Sequence, residues 1–304
     1  MKKRIFLMVT LAVMIFLPTK VWGITLAPAT LELKVAAGQS QEFKIKLFNE
    51  EDKTVFLLAS LKKFVSQGTE GSAKILVTTA QDEYLNWFNL PGRYTKLAPG
   101  EMQEITLKIS IPAKAAPAEY FPVLAWQTLT GTNSGDNLAV SSEVGTLIFL
   151  QITGPKEEKL SLQNFSLPTK QQILWSWPKK FLVQVQNEGN IHLVPQGNIK
   201  LAGYWQKTPL ILAVNEGQGK ILPNSQRVYE VFLPQRSSSM LASLKKFLVI
   251  GKYQATLNLT YGETNKSLTQ MINFWVISWP AVSLFGVLLI ILGYNLIKFN
   301  AKRQ

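Results

Sequence analysis

The stretch Ile105-Thr106-Leu107-Lys108-Ile109-Ser110-Ile111 alternates strictly between apolar and polar side chains. Because successive side chains of a β-strand point to opposite faces, this pattern predicts a strand with one face on a core and the other in solvent. Turn-forming residues flank it, namely Ala98–Glu101 before it and Pro112 after it. The same alternation occurs in Leu31–Val35 and Phe43–Leu47. The sequence therefore predicts short antiparallel strands over this part of the chain.

A second set of alternating stretches follows the turn-rich, charged segment Gly154–Lys159, and Tyr253–Tyr261 is the clearest of them. Short strands at this spacing, separated by turn signals, are typical of antiparallel sandwiches. We therefore predict an all-β protein with two tandem immunoglobulin-like antiparallel β-sandwiches. Domain 1 is expected at residues 24–154 and domain 2 at residues 155–274.

The two predicted domains share an order of parts. Each has an early strand that ends in asparagine, at Asn49 and at Asn187. Each has a later turn that carries proline and a polar residue before a strand, at Ala98–Glu101 and at Leu222–Ser225. This order indicates two copies of one sandwich plan.

The N-terminus has the layout of a signal peptide. The basic residues Lys2, Lys3 and Arg4 precede the apolar run Ile5–Leu17, and Gly23 supplies a small residue where cleavage is expected. The run would rise only about 20 Å as a helix, short of the hydrocarbon core of a bilayer. Residues 1–23 are therefore predicted to be a cleaved signal peptide, and an uncleaved anchor is the alternative.

The C-terminus predicts a membrane anchor. Residues 275–297 are almost entirely apolar, with Trp275 and Trp279 at one end and Lys298 at the other. A helix of this length would cross a bilayer, and tryptophan and lysine favour its two interfaces. We therefore expect one transmembrane helix at 275–297 and a cytoplasmic basic tail at 298–304. The expected localisation is the cell membrane, single-pass, with the bulk of the protein extracytoplasmic.

Composition narrows the range of functions. The formal net charge is +13, but seven basic residues and no acid lie in the first 23 and last seven residues together. The segment between is only mildly basic, which does not favour a nucleic-acid partner. The chain has no cysteine, so disulfides, thiol catalysis and thiolate metal sites are excluded.

The sequence resembles the WxL-interacting protein family of bacterial cell-surface proteins. The resemblance covers nearly the whole chain in order, through short motifs: Leu26–Ala29, Gly38, Asn49, Leu97–Glu101, Val185–Asn187, Ile221–Ser225 and Gly251–Tyr253. It implies two immunoglobulin-like domains and a C-terminal transmembrane helix. It also implies that the first domain binds peptidoglycan and that the second engages host or partner proteins.

Catalytic motifs are weak. The single histidine, His192, cannot build a multi-histidine metal site. The motif Ser-x-x-Lys occurs at Ser60–Lys63 and Ser243–Lys246, but its companion motifs Ser-Asp-Asn and Lys-Thr-Gly are absent. We therefore predict no enzyme, no cofactor, no metal and no small-molecule substrate.

Aromatic residues give the weak candidates for a binding site. Trp175 and Trp177 lie two residues apart, as on one strand face, and Lys179 and Lys180 follow them. These four residues are the predicted surface patch, with core packing as the alternative. Trp87 and Trp126 are expected in the sandwich core.

Two functions fit these features. The main prediction is a non-enzymatic, membrane-anchored cell-surface binding or scaffold protein of the bacterial envelope, in contact with peptidoglycan or another surface protein. The alternative is an envelope assembly chaperone or accessory subunit that binds exported proteins by β-strand augmentation, in which an extended segment pairs with an exposed sheet edge.

Overall fold

The computed structural model describes residues 23–90, 92–129, 142–169, 171–203, 208–234 and 249–301. The predicted signal peptide at 1–23 lies outside these ranges apart from Gly23. The chain divides into two compact units, and each is described by itself. Within the described ranges, the first takes its residues from Met1–Phe64 and Ile75–Thr153, and the second from Val65–Lys74 and Gly154–Gln304.

Strands dominate the first unit, together with a short 3₁₀ helix at Glu83–Trp87. The strands within the described ranges are β1 (Ile24–Ala27), β2 (Thr30–Val35), β3 (Ser40–Asn49), β4 (Val55–Gln67), β5 (Ser72–Leu76), β6 (Phe88–Asn89), β7 (Tyr94–Leu97), β8 (Met102–Ser110), β9 (Glu119–Tyr120), β10 (Pro122–Thr128) and β11 (Glu143–Ile152). The last residues of β4, from Val65, and the first of β5, up to Lys74, group with the second unit.

These strands form two sheets. One has the order β1-β3-β8-β6, and the other has the order β2-β11-β10-β4-β5, with β7 beside β4 and β9 beside β11. The alternating stretch 105–111 lies mostly in β8, where Leu107 and Ile109 are buried. Both sheets contribute to one core, which includes Ile45 from β3 and Trp126 from β10. Trp126 is buried as predicted, whereas Trp87 is half-buried at the edge of that core.

The second unit has the same kind of architecture. Its strands within the described ranges are β12 (Leu160–Ser166), β13 (Ile173–Leu174), β14 (Lys180–Asn187), β15 (Gln196–Gly203), β16 (Leu210–Val214), β17 (Gln226–Phe232), β18 (Ile250–Tyr261) and β19 (Lys266–Ile277). One sheet has the order β12-β14-β17 and the other has the order β13-β19-β18-β15-β16. Phe181 from the first sheet and Leu257 from the second share one core.

The prediction of an all-β protein built from packed sheets is confirmed. The predicted antiparallel pairing holds with two exceptions, since β2 pairs with β11 in parallel and β13 pairs with β19 in parallel. In both cases a short strand near the start of a unit pairs with the last strand of that unit. Alternation within one segment cannot reveal such a parallel pairing, because it fixes the buried face and not the partner.

A buried asparagine closes a corner of the first unit. Asn49 is fully buried at the end of β3. Its side-chain amide donates to the carbonyl oxygens of Lys53 (2.9 Å), Leu97 (3.2 Å) and Ala98 (2.9 Å). Its Oδ1 accepts from the backbone N–H of Glu51 (3.0 Å). The side chain therefore ties the end of β3 to the turn that precedes β8.

The second unit repeats this arrangement. Asn187 is fully buried at the end of β14. Its amide donates to the carbonyl oxygens of Ile191 (2.8 Å) and Ile221 (2.9 Å), and its Oδ1 accepts from the N–H of Gly189 (2.9 Å). The backbone N–H of Asn224 donates to the carbonyl of Asn187 (2.9 Å). The shared order of parts in the sequence therefore has a direct structural counterpart.

The C-terminal segment differs from its prediction. Residues 275–277 complete β19, and the helix α1 begins only at Trp279 and ends at Ala301. Val276 is fully buried in the core of the second unit, so the start of the predicted span belongs to the sheet. Among the residues that the structure describes, no helix is long and apolar enough to cross a membrane. The predicted transmembrane helix at 275–297 is therefore wrong, and so is the single-pass membrane localisation that depended on it.

Candidate functional site

The two predicted tryptophans have different surroundings. β13 ends at Leu174, so Trp175 and Trp177 do not share the face of one strand. Trp175 is 60% exposed, and its carbonyl accepts from the N–H of Trp279 (3.2 Å). Trp177 packs against the core, and its ring lies 5.2 Å from that of Tyr253 in an edge-on arrangement.

The two predicted lysines lie where β14 begins. The carbonyl of Lys179 accepts from the N–H of Leu233 (2.9 Å). Lys180 is the first residue of β14, and its Nζ forms an ion pair with Glu230 of β17 (2.5 Å). The same ammonium lies 5.6 Å from the centre of the Phe232 ring. Of the four candidates, Lys180 is thus placed directly against β17.

A groove of about 720 Å³ in the second unit runs between β16 and β17. Each of these strands lies at the edge of its sheet. β16 pairs only with β15, and β17 pairs along its length only with β14 among the described strands. Two sheet edges with unpaired backbone groups therefore border one groove.

The hydrogen bonds of β17 show which backbone groups face the groove. The N–H of Leu233 donates to Lys179 on the β14 side, whereas the N–H of Val228 points the other way and donates to the carbonyl of Thr69 (2.7 Å). Thr69 belongs to the segment that groups with the second unit. Residues of an antiparallel edge strand alternate between bonded and outward-facing backbone groups. The backbone groups of Glu230 and Phe232 therefore face outward.

Large apolar side chains flank the groove. Ile211 on β16 and Phe232 on β17 are each 65% exposed. Their neighbours Leu212 and Val231 are buried, as the alternation of both strands requires. Ile211 and Phe232 thus occupy the solvent-facing positions of their strands, where polar residues are usual. This is the sequence signal that could have revealed the groove.

One end of the groove carries a charged and a phenolic group. The Arg227 guanidinium donates to the carbonyl of Lys220 (2.8 Å) and lies 5.5 Å from the centre of the Tyr229 ring. The Tyr229 hydroxyl donates to the carbonyl of Gly219 (3.2 Å). Burial raises the pKa of Tyr229, and the positive charge of Arg227 opposes this only in part. Tyr229 therefore stays a neutral hydrogen-bond donor across the physiological range of pH.

The first unit has a cleft of about 560 Å³ beside β4 and the 3₁₀ helix. Asp82 lies at its rim and accepts from Thr79 through the backbone N–H (2.7 Å) and the hydroxyl (2.9 Å). Asp82 also pairs with Lys63 (2.8 Å), and the hydrogen bond from Lys63 is the main reason that its pKa lies below the ordinary value. Burial, together with the negative charge of Asp82, raises the pKa of Tyr84 to about 12.

The described residues bring no catalytic group together at these sites. Lys63 of the first Ser-x-x-Lys motif donates to Asp82, and the second motif lies outside the described ranges. No group of three or more histidine, aspartate or glutamate side chains in the described ranges could hold a metal ion. Among the described residues, the groove of the second unit presents two edge strands and exposed apolar side chains.

Comparison with known proteins gives weak structural similarity only. No family model matches the chain, and no curated protein matches it. The class 5 fimbriae chaperone CfaA is 16% identical, with a TM-score of 0.43, and the match covers 82% of this chain and 98% of CfaA. The E. coli chaperone DraB is 10% identical, with a TM-score of 0.39 and coverages of 84% and 98%. A chain from the complex of the Salmonella enterica SafA pilin with the SafB chaperone is 9% identical, with a TM-score of 0.38. The match covers 85% of this chain and 98% of that one.

The main functional prediction is wrong. It required a membrane-anchored scaffold, and the described residues contain no helix able to serve as the anchor. The three similar structures are described as chaperones or as a chaperone in complex with a pilin. Likeness with a TM-score below 0.5 does not carry a function over to this chain.

Proposed function

We propose that this protein is an assembly chaperone or accessory subunit that binds another exported polypeptide by accepting one of its extended segments as an added strand. The acceptor is the groove between β16 and β17. The observation that carries the proposal is that two strands, each with one neighbouring strand only among those described, border one groove of about 720 Å³. We also take each unit to be an immunoglobulin-like sandwich.

Backbone geometry supports strand addition. An exposed edge presents unpaired N–H and C=O groups, and an added strand satisfies them with main-chain hydrogen bonds. On β17 the outward groups belong to Glu230 and Phe232, beyond the point where Thr69 already bonds to Val228. On β16, alternate residues of Leu210–Val214 direct their backbone groups away from β15.

The exposed apolar side chains support the same reading. Main-chain bonds alone do not select a partner, because every polypeptide has the same backbone. Ile211 and Phe232 provide apolar contact for alternate side chains of an added strand. Partial burial of these two side chains contributes roughly 1–2 kcal/mol each. The proposed partner is therefore a segment with apolar residues at alternate positions.

Two exposed phenylalanines provide a matched experiment. Phe232 lies at the edge strand β17, whereas Phe56 lies in β4, which pairs with β7 on one side and β10 on the other. Phe56 is 51% exposed and has the Lys96 ammonium 5.9 Å from its ring centre, much like Phe232 with Lys180. A photo-crosslinking amino acid is placed at each position in turn, in cells that produce the protein.

Strand addition predicts a discrete polypeptide adduct at position 232 and little or none at 56. In the crosslinked complex, hydrogen exchange should slow at the amides of Glu230 and Phe232. Glu230→Pro should abolish the adduct because it removes an outward N–H, whereas Glu230→Ala, which keeps that N–H, should retain it. Equal adducts at the two positions, or an adduct without amide protection, would contradict the proposal.

A further inference from the structure

The first unit contains a second sheet edge that lacks a full neighbouring strand. β8 pairs with β3 over nine residues, but on its other side β6 pairs only with Lys108 and Ile109. Among the described residues, no strand lies beside β8 between Met102 and Leu107. The chain instead passes from β6 to β7, which belongs to the opposite sheet.

Hydrogen bonds at both ends of β8 show which of its backbone groups point away from β3. The carbonyl of Glu101 accepts from Asn49 (3.0 Å), and the N–H of Ile111 donates to Gln39 (2.8 Å). Odd-numbered residues of β8 therefore bond towards β3, and even-numbered residues face outward. The outward set that β6 does not reach is Met102, Glu104 and Thr106.

A cleft of about 170 Å³ opens beside this edge. Ile105 and Leu107 of β8 form one wall, Tyr94 of β7 lies at its rim, and the buried ring of Trp126 also lines it. Because an apolar cavity of roughly 150 Å³ holds a molecule of benzene, this cleft has room for one side chain of phenylalanine size. The cleft reaches core residues that a longer β6 would cover.

The charges beside the edge indicate what an added strand carries on its outer face. Glu104 pairs with Lys44 (2.6 Å), and Lys46 also lowers its pKa through its charge. Lys44 and Lys46 lie on β3, across β8 from an added strand, and Lys108 lies opposite Glu42 of β3 and beside Asn89 of β6. The charged side chain of β8 nearest to an added strand is therefore Glu104, which favours a basic side chain on that strand, since oppositely charged cross-strand neighbours attract.

We propose that β8 is a second strand-accepting edge. Its occupant is an extended segment of a partner polypeptide that inserts one phenylalanine-sized side chain into the cleft beside Trp126 and places a basic side chain beside Glu104. This site is separate from the groove between β16 and β17, and it stands on its own observations.

The probe is the capped peptide acetyl-Thr-Lys-Phe-Thr-Val-Thr-amide, labelled for fluorescence anisotropy and added to the purified full chain. Replacing its phenylalanine with alanine should weaken binding at least about tenfold, since the apolar ring is then lost from the cleft. Replacing its lysine with glutamate should weaken binding by several-fold, because the new charge repels Glu104. Equal affinity of the phenylalanine and alanine peptides would overturn the proposal.

Matched variants locate the site. Gln103→Trp places a large ring at the cleft from an exposed position of β8, and it should remove the preference for phenylalanine over alanine. Gln254→Trp makes the same change on β18, which is paired on both sides, and should keep that preference. Glu230→Pro blocks only the other groove and should also keep it. A preference that survives Gln103→Trp would place the peptide elsewhere and overturn the assignment.

Discussion

Asn49 in the first unit and Asn187 in the second provide hydrogen bonds to buried backbone groups at equivalent corners, but their neighbouring residues differ. In each, a fully buried asparagine joins the end of a strand to the turn before another strand. Two sequence segments almost 50 residues apart at the first corner, and about 34 at the second, are held by one side-chain amide. Buried backbone carbonyls need such donors, because leaving them unpaired costs free energy.

The two corners differ in the residue that closes the turn. In the first unit the Glu101 carboxylate accepts from the N–H of Ala98 (2.7 Å). In the second unit the Ser225 hydroxyl donates to the carbonyl of Leu222 (2.7 Å). One turn is closed by a charged acceptor and the other by a neutral donor. The asparagine is thus the shared requirement, and the turn residue is free to vary with its local backbone.

Of the substitutions at the two corners, Asn49→Ala should cause the largest loss of stability. It removes the donors to three carbonyl groups and the acceptor for Glu51, and it leaves buried polar groups without partners. We expect the free energy of unfolding of the first unit to fall by about 3 kcal/mol. Denaturant unfolding followed by tryptophan fluorescence measures this change. Asn89→Ala, at an exposed position of β6, is the control and should change little.

Asn187→Ala should destabilise the second unit by less, about 2 kcal/mol, because its amide bonds to two carbonyl groups rather than three. The same unfolding experiment applies, with the exposed Asn273→Ala as the control. If Asn187→Ala costs more than Asn49→Ala, the number of carbonyl groups bonded does not set the rank of the two corners.

These corners also show how far the sequence alone predicts this fold. The alternation of β3 and β8, and the asparagine followed by a proline turn in each half, predict packed sheets and a repeated plan from the residues alone. Local patterns carry this information because strand period and turn chemistry are properties of neighbouring residues. The domain limits, the signal peptide and the family resemblance stay predictions.

What the sequence could not supply is pairing between distant segments. No local sequence feature distinguishes β17, an edge strand, from β4, which is paired on both sides. The sequence therefore does not identify the groove, although Phe232 occupies a position of β17 where alternation predicts a polar side chain. Trp175 and Trp177 were placed on one strand because two-residue spacing suggests it, yet β13 ends before both. The predicted membrane span at 275–297 is wrong, and its apolar residue Val276 belongs to the core of the second unit.

Substitution of the two turn residues should reduce stability less than substitution of the asparagines. Glu101→Ala removes a charged acceptor from the N–H of Ala98, and we expect a loss of about 1.5 kcal/mol from the first unit. Ser225→Ala removes a neutral donor from Leu222 and should cost the second unit about 1 kcal/mol. Unfolding curves at low and high salt separate the two. Equal salt sensitivity of both losses would show that the charge of Glu101 adds nothing.

The smallest expected effect is a difference in pH dependence between the units. Hydrogen bonds from Lys63 and Thr79 hold the pKa of Asp82 below its ordinary value of 3.8. A carboxyl group whose pKa is lower in the folded state adds stability that is complete well above its unfolded pKa. That stability disappears as the pH falls through the ordinary value towards the folded one.

Asp82→Asn should therefore lower the stability of the first unit at neutral pH and flatten its decline below about pH 5. Glu188 of the second unit also has a lowered pKa, mainly through its hydrogen bond from Lys159, but it is the more exposed carboxylate of the two. Solvent screens exposed ion pairs, so Glu188→Gln should flatten the decline of the second unit less. Unfolding midpoints measured from pH 7 to pH 3 test both variants. A larger change for Glu188→Gln would mean that burial of the carboxylate does not control the acid response.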